Sequence, residues 1–328
     1  MRRGALSCTR KRREGPLGRA ELGGRTATKT GGRLLAAVLA LALGVGAWAG
    51  CGSPEQGEVL TLANIGWDEN VAVSSLTKVL LEDKLGYERV EVRTSQDLDK
   101  TYRRVASGEL DAFQDVWLPN HEDLLAGVAG DVEHLDPWFL GETKQGMAVP
   151  AYMDVTSIGQ LEGTDAEFIF GIEPSSAVMR EVVGGDAGGV ISAYGLDQQL
   201  VQAPTAGMLE EVEKRYRARE EFAFLAWSPH WMNWRFDIRY LDDPKDAMGS
   251  TNDPAEVSTI VRGYLREEDP VAHAFVDALA LTEGQINGLE QAINEEGDPI
   301  AGARRWASEN RGVVRPWVEA ARDAGEER

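Results

Sequence analysis

The sequence predicts an α/β chain folded as two lobes around a cleft, and three observations carry that expectation. Apolar runs short enough to be buried strands alternate with segments of helical periodicity, the order that builds parallel sheets. The alternation occurs twice and ends each time on one signature: Leu110–Val116 leads into Trp117-Leu-Pro119, and Phe222–Ala226 leads into Trp227-Ser-Pro229-His230. A third run, Val59–Ile65, delivers Trp67 after a single Gly66. Ligands of open α/β sheets sit beyond the carboxyl ends of strands, so three tryptophans at such ends are candidates for one aromatic site. Indole faces attract organic cations.

Residues 1–50 of the 328 read as an export signal: ten basic side chains precede Leu34, an apolar or small stretch runs from Leu34 to Ala49, and small residues precede Cys51. The stretch falls short of the roughly 20 apolar residues that span a bilayer; an uncleaved anchor is the alternative. Trp48-Ala-Gly-Cys51 resembles the lipobox of bacterial lipoproteins, in which the cysteine is acylated, although Trp48 stands where that motif has an aliphatic residue. Residues 51–57 then form a polar tether. Losing a leader with ten basic and two acidic side chains takes the formal charge from −20 to about −28. Such a chain is a poor partner for nucleic acid. Cys8 leaves with the leader, so no disulfide is expected beyond it.

The first series opens with a strand at 59–65. A helix at 69–85 follows, carrying Val73, Leu76, Val79, Leu80 and Leu85 near one face and stopped by Gly86. A strand at 89–93, a helix at 97–107 with Leu98, Tyr102, Val105 and Ala106 aligned, and the strand ending at Trp117 complete it. The second series has strands at 147–152 and 168–172 with a short helix between them, then a helix through Val178 and Val182. A strand at 200–203, a helix at 206–219 with Leu209, Val212 and Tyr216 aligned, and the strand ending at Trp227 finish it. From Pro254 onward the spacing of Val257, Ile260, Val261, Tyr264 and Leu265 predicts helix throughout. The chain is expected to cross between lobes near 140–147 and 236–246, giving lobe 1 as 58–142 with 246–325 and lobe 2 as 143–245.

Motifs of catalysis are missing. There is no G-x-S-x-G elbow, no H-E-x-x-H, no Cys/His ligand set and no phosphate-binding G-x-x-x-x-G-K loop after a strand. Neither a cofactor nor a metal is expected, and a binding protein is favoured over the alternative of an acidic exported α/β hydrolase. Of the nine tryptophans, Trp306 and Trp317 read as core, Trp231 and Trp234 as packing or rim, and Trp138 has no evident role.

Ile65-Gly-Trp67-Asp-Glu69, Asp115-Val-Trp117-Leu-Pro119, Phe170-Gly-Ile-Glu-Pro174 and Ala226-Trp227-Ser-Pro-His230-Trp-Met-Asn233 occur in that order. As a set, over about 58–320, they resemble the substrate-binding proteins of ABC importers for glycine betaine, proline betaine, carnitine and choline. The resemblance implies a two-lobed type II periplasmic-binding-protein fold closing on a small quaternary ammonium ligand. It further implies an ABC permease and its ATPase as partners, and a place outside the cytoplasm, here lipid-anchored through Cys51 to the outer face of the membrane. By family position Trp67, Trp117 and Trp227 form the ammonium box. Choline-binding relatives have a further aromatic where this chain has Gln145, leaving Trp231 or Tyr152 as candidates for a fourth wall.

A trimethylammonium head has no N–H to donate, so indole faces suit it. The other end of the ligand decides its identity. Ser175 and Ser176 open a helix and offer donors to a carboxylate. His230 lies in the segment where betaine-binding relatives contact the carboxylate; the alternative is a local cap. Glu69 stands near the acid of choline-binding relatives; the alternative is a first-turn carboxylate favoured by the helix dipole. Glycine betaine or a close analogue is the leading expectation, with choline or carnitine second.

Overall fold

The computed structural model describes residues 59–184 and 188–327. The leader, Cys51 and the whole of the tether lie outside the described residues. Two five-stranded sheets organise the rest. The first contains β1 (Leu60–Asn64), β2 (Val90–Thr94), β3 (Ala112–Leu118), β4 (Val132–His134) and, from far along the chain, β10 (Glu256–Arg262). Its order is β2-β1-β3-β10-β4, with β1 parallel to β2 and β3, and β10 antiparallel to both of its neighbours. The second contains β5 (Lys144–Pro150), β6 (Phe168–Gly171), β7 (Gln199–Gln202), β8 (Ala223–Ser228) and β9 (Ile238–Tyr240) in the order β7-β6-β8-β5-β9. There β6 is parallel to β7 and β8, and β5 is antiparallel to β8 and β9.

The two sheets therefore share one plan, in which β3 and β8 are equivalent central strands. Trp117 and Trp227 sit at their carboxyl ends, each followed by a cis Xaa-Pro bond, Leu118–Pro119 and Ser228–Pro229. β1 and β8 are buried almost throughout, which explains their continuous apolar composition. The parallel pairs are bridged by helices: α1 (Asp68–Leu85) between β1 and β2, and α2 (Leu98–Ala106) between β2 and β3. α1 buries Val73, Leu76, Val79 and Leu80 as its periodicity predicts, and ends where Gly86 adopts a left-handed conformation (φ 80°). Asp97 caps α2 by accepting from the backbone N–H of Lys100. A short α3 (Glu122–Ala126) follows β3. In the second lobe α4 (Ala177–Val183) and α5 (Val190–Tyr194) lead from β6 to β7, α6 (Thr205–Ala218) leads to β8, and α7 (Met232–Arg235) follows β8. The short helix expected between β5 and β6 is a 3-10 turn at Ile158–Gly163.

The segment after Pro254 is not wholly helical. Val257, Ile260 and Val261 belong to β10, the strand that returns from the second lobe and lies between β3 and β4. Its register shifts between Ser258 and Ile260, so an irregularity displaces the apolar residues into spacings that imitate a helix. A strand buried on both faces has no alternation to reveal it. The short edge strands β4 and β9 carry too few residues for any period. Helices begin at α8 (Leu265–Glu268) and continue through α9 (Pro270–Ala278), α10 (Glu283–Glu296), α11 (Pro299–Glu309) and α12 (Arg311–Glu326). Trp306 and Trp317 are buried there, as expected. Trp138 also has a structural role: its Nε1 donates to the Gln114 carbonyl at 2.9 Å in the core of the first lobe.

Candidate ligand site between the lobes

The strand ends of the two sheets face each other across a narrow, tightly closed cavity. The first lobe lines it with Trp67, Glu69, Asn120 and His121, and the second with Gln145, Ile172, Ser176, Ala177, Val178 and Trp227. Among the described residues, no Lys or Arg lines it. Trp67 arrives from the turn after β1, where Gly66 takes a positive φ of 98° that a side chain would strain. Trp227 arrives from the end of β8, paired with Gln145 of β5. Trp117 is buried at the edge of this group and is not among the lining side chains. Its Nε1 donates to Asp115 Oδ1 at 2.8 Å, and its backbone N–H donates to His121 Nδ1 at 3.1 Å.

The polar residues expected at the far end of a ligand divide into two groups. Glu69 and Ser176 reach the cavity wall. Glu69 is fully buried; its Oε2 accepts from Trp227 Nε1 at 3.0 Å, while Oε1 has no protein partner. It is thus neither a solvated nor merely a first-turn carboxylate. Ser176 caps α4, its hydroxyl accepting from Met179 N–H at 3.3 Å. Ser175 and His230 lie off the cavity and tie the lobes together instead. Ser175 Oγ donates to the Gln96 carbonyl at 2.8 Å and accepts from Leu98 N–H at 3.2 Å. His230 has both ring nitrogens engaged: Nδ1 accepts from Met232 N–H at 3.0 Å and Nε2 faces Asp68 Oδ2 at 3.1 Å. Trp231 donates to the other oxygen of Asp68 at 2.7 Å, so it serves the same tie rather than a fourth wall. Tyr152 is also elsewhere, donating to the Glu220 carbonyl and stacked under Arg219.

His121 is a polar wall residue that sequence reasoning missed, as it missed Asn120. Trp117-Leu-Pro-Asn-His121 and Trp227-Ser-Pro-His230 are two versions of one pattern, yet only the first places its imidazole on the cavity. His121 Nδ1 receives the Trp117 N–H and lies 3.0 Å from the Tyr102 hydroxyl, so the ring proton belongs on Nε2. Burial, assisted by the charge of Arg180, lowers the His121 pKa to about 3, and the ring is a neutral donor at physiological pH. Asn120 spans the cleft, donating to Gln145 Oε1 at 2.8 Å.

The acids beneath the wall are held in their neutral form. Burial pushes Asp115 up to about 8 against the opposing hydrogen bond from Trp117. Burial also raises Glu69, reinforced by the charge of Asp115. An unfolded aspartate titrates near 3.9. Between that value and about 8 the folded state therefore holds a proton that the unfolded state has lost, and stability falls as pH rises through this window. Asp115→Asn keeps an acceptor for Trp117 Nε1 and removes the ionisable group. Its melting temperature, relative to the parent protein, is expected to climb steadily from pH 5 to pH 8 and to show little advantage at pH 4. Melting curves across that range check this, and a pH-independent offset would contradict it.

Residues 58–309 match the family described as the substrate-binding domain of ABC-type glycine betaine transport systems. The chain belongs to this family. Among curated relatives of the family, it is 31% identical over 132 residues to the glycine betaine/carnitine transport binding protein GbuC of Listeria monocytogenes serotype 1/2a (strain 10403S). That alignment covers 39% of this chain and 43% of the relative, so the chain spans less than half the length of the curated relative it matches. Among solved structures, it is 28% identical to lactococcal OpuAC in a closed-liganded conformation complexed with glycine betaine, with a TM-score of 0.68 over 80% of this chain and 100% of that one. It is 26% identical to the glycine betaine/L-proline-binding protein ProX of Borrelia burgdorferi, with a TM-score of 0.69 over 79% and 96%. The fold is the two-lobed periplasmic-binding-protein fold of this family.

Proposed function

We propose that this protein is the extracytoplasmic substrate-binding component of an ABC importer, and that it captures glycine betaine or a close quaternary ammonium analogue between its lobes. One observation carries this reading: indoles from opposite lobes, Trp67 and Trp227, wall a single cavity that no Lys or Arg lines among the described residues. Cation–π contacts contribute roughly 0.5–2 kcal/mol each, more where water is excluded. Trp117 does not line this cavity; bonded to Asp115 and, through its backbone N–H, to His121, it would back the wall rather than face the ligand. A carboxylate at the far end of the ligand would take the Nε2–H of His121 and the Ser176 hydroxyl. Hinged closure would present the loaded form to a permease and its ATPase. Acylation at Cys51 would hold the protein on the outer face of the membrane.

A second reading, choline, is favoured by a specific feature: the fully buried Glu69 lines the cavity and has one oxygen, Oε1, with no protein partner. That oxygen suits a hydroxyl on a permanent cation. Calorimetric titration with glycine betaine, proline betaine, choline and carnitine tests both readings. Saturable one-to-one binding of at least one is expected, and failure of all four to bind would end the proposal. Loss of membrane association on Cys51→Ala tests the anchor.

A further inference from the structure

Glu173 lies just beyond β6 in the second lobe and is only 2% exposed, yet it does not line the cavity. Its Oε2 accepts from Trp67 Nε1, across the cleft in the first lobe, at 3.0 Å. The same carboxylate is itself fixed by Thr205 at the start of α6, which donates its backbone N–H to Oε1 at 2.9 Å and its hydroxyl to Oε2 at 2.8 Å. The contact is close on the backbone side too, since a Cβ at Gly66 would lie 3.9 Å from Oε1. The opposite indole is tied in the reciprocal sense: Trp227 of the second lobe donates to Glu69 of the first.

Resting on the quaternary-ammonium reading above, we infer that Glu173 is a positioning residue which sets the Trp67 face of the ligand box only when the lobes are shut. An indole has one N–H, and a partner for it fixes the rotation that turns the ring face toward a ligand. For Trp67 that partner is on the other lobe and held rigid by two donors of its own. Closure therefore determines ring orientation, and the bond is broken whenever the cleft opens. Binding energy is coupled in this way to the closed state. The effect belongs to ligand retention, because encounter takes place in the open cleft before the bond exists.

Glu173→Gln tests this. The amide has one acceptor oxygen for three donors, so one of the bonds from Trp67 and Thr205 is lost. Stopped-flow tryptophan fluorescence with glycine betaine and choline is expected to show dissociation about 10-fold faster and association changed less than about twofold, as most affinity differences within one interface reside in the off-rate. In a Trp67→Phe background, which keeps a ring but lacks the N–H, Glu173→Gln is expected to add less than about twofold. Equal effects in both backgrounds would show that Glu173 acts through Thr205 and the second lobe alone, and would overturn the inference. A second measurement needs no substitution. In the ligand-bound parent protein the indole N–H of Trp67 should be strongly protected from hydrogen exchange, relative to that of Trp234, which is 46% exposed. Equal exchange at the two would likewise overturn it. Absence of any binding by the parent protein would instead count against the quaternary-ammonium reading itself.

Discussion

Trp227→Ala is expected to weaken binding of glycine betaine and choline by roughly 100-fold, about 3 kcal/mol, through two losses that act together. The first is the indole face itself, worth roughly 0.5–2 kcal/mol to a desolvated cation. The second is the hydrogen bond from Nε1 to Glu69 Oε2; without it the buried carboxyl loses its one side-chain donor, a cost of about 1–3 kcal/mol. Trp227 is also packed edge-on against His230, with ring centroids 4.6 Å apart, so truncation disturbs the tie between His230 and Asp68. Trp227→Phe separates these contributions, because it keeps an aromatic face and removes the N–H. It should fall between the parent protein and the alanine variant. Titration calorimetry reads the affinity, and a melting curve confirms that each variant is folded. Affinity within about twofold of the parent for a folded Trp227→Ala would remove the aromatic-box reading.

The second large effect concerns Glu69 and the charge of the ligand. Burial and the nearby Asp115 keep the Glu69 carboxyl protonated well above the ordinary range. A permanent cation placed against it favours the ionised form. Choline binding is therefore expected to release a proton at neutral pH, and choline affinity to rise with pH until the carboxyl ionises in the free protein. Glycine betaine carries its own carboxylate, which opposes ionisation of Glu69, so its affinity should be flat or fall over the same range. Glu69→Gln should abolish the pH dependence, weaken choline by about 10–100-fold and leave betaine much less affected. Calorimetry in buffers of different ionisation enthalpy counts the protons directly. Choline affinity that is independent of pH in the parent protein, or a pH dependence that survives Glu69→Gln, would remove the role assigned to this acid.

Much of the fold was legible because its signals are local. The periodicity of α1, the stop at Gly86 and the apolar runs of β1, β3 and β8 are statements about neighbours in sequence. β10 was illegible for the opposite reason. Its place between β3 and β4 depends on a chain that has left for the second lobe and returned, and its irregular register disguised it as a helix. The same division runs through the site. Residue type and position at strand exits pointed to Trp67, Trp117 and Trp227, of which Trp67 and Trp227 line the cavity and Trp117 does not. His121 and His230 follow near-identical motifs, and no local rule separates the one on the cavity wall from the one bound to Asp68.

The sequence by itself determined that tryptophans would emerge at the carboxyl ends of equivalent strands in two α/β lobes, because strand length, chain-turning residues and periodicity act over a few residues. Only the tertiary structure decided how those indoles are held. Trp67 is bonded to Glu173, 106 residues away, and Trp227 to Glu69, 158 residues away. Which carboxylate meets which indole is set by the approach of two separately built sheets, and long-range pairing of that kind leaves no periodic trace in the chain.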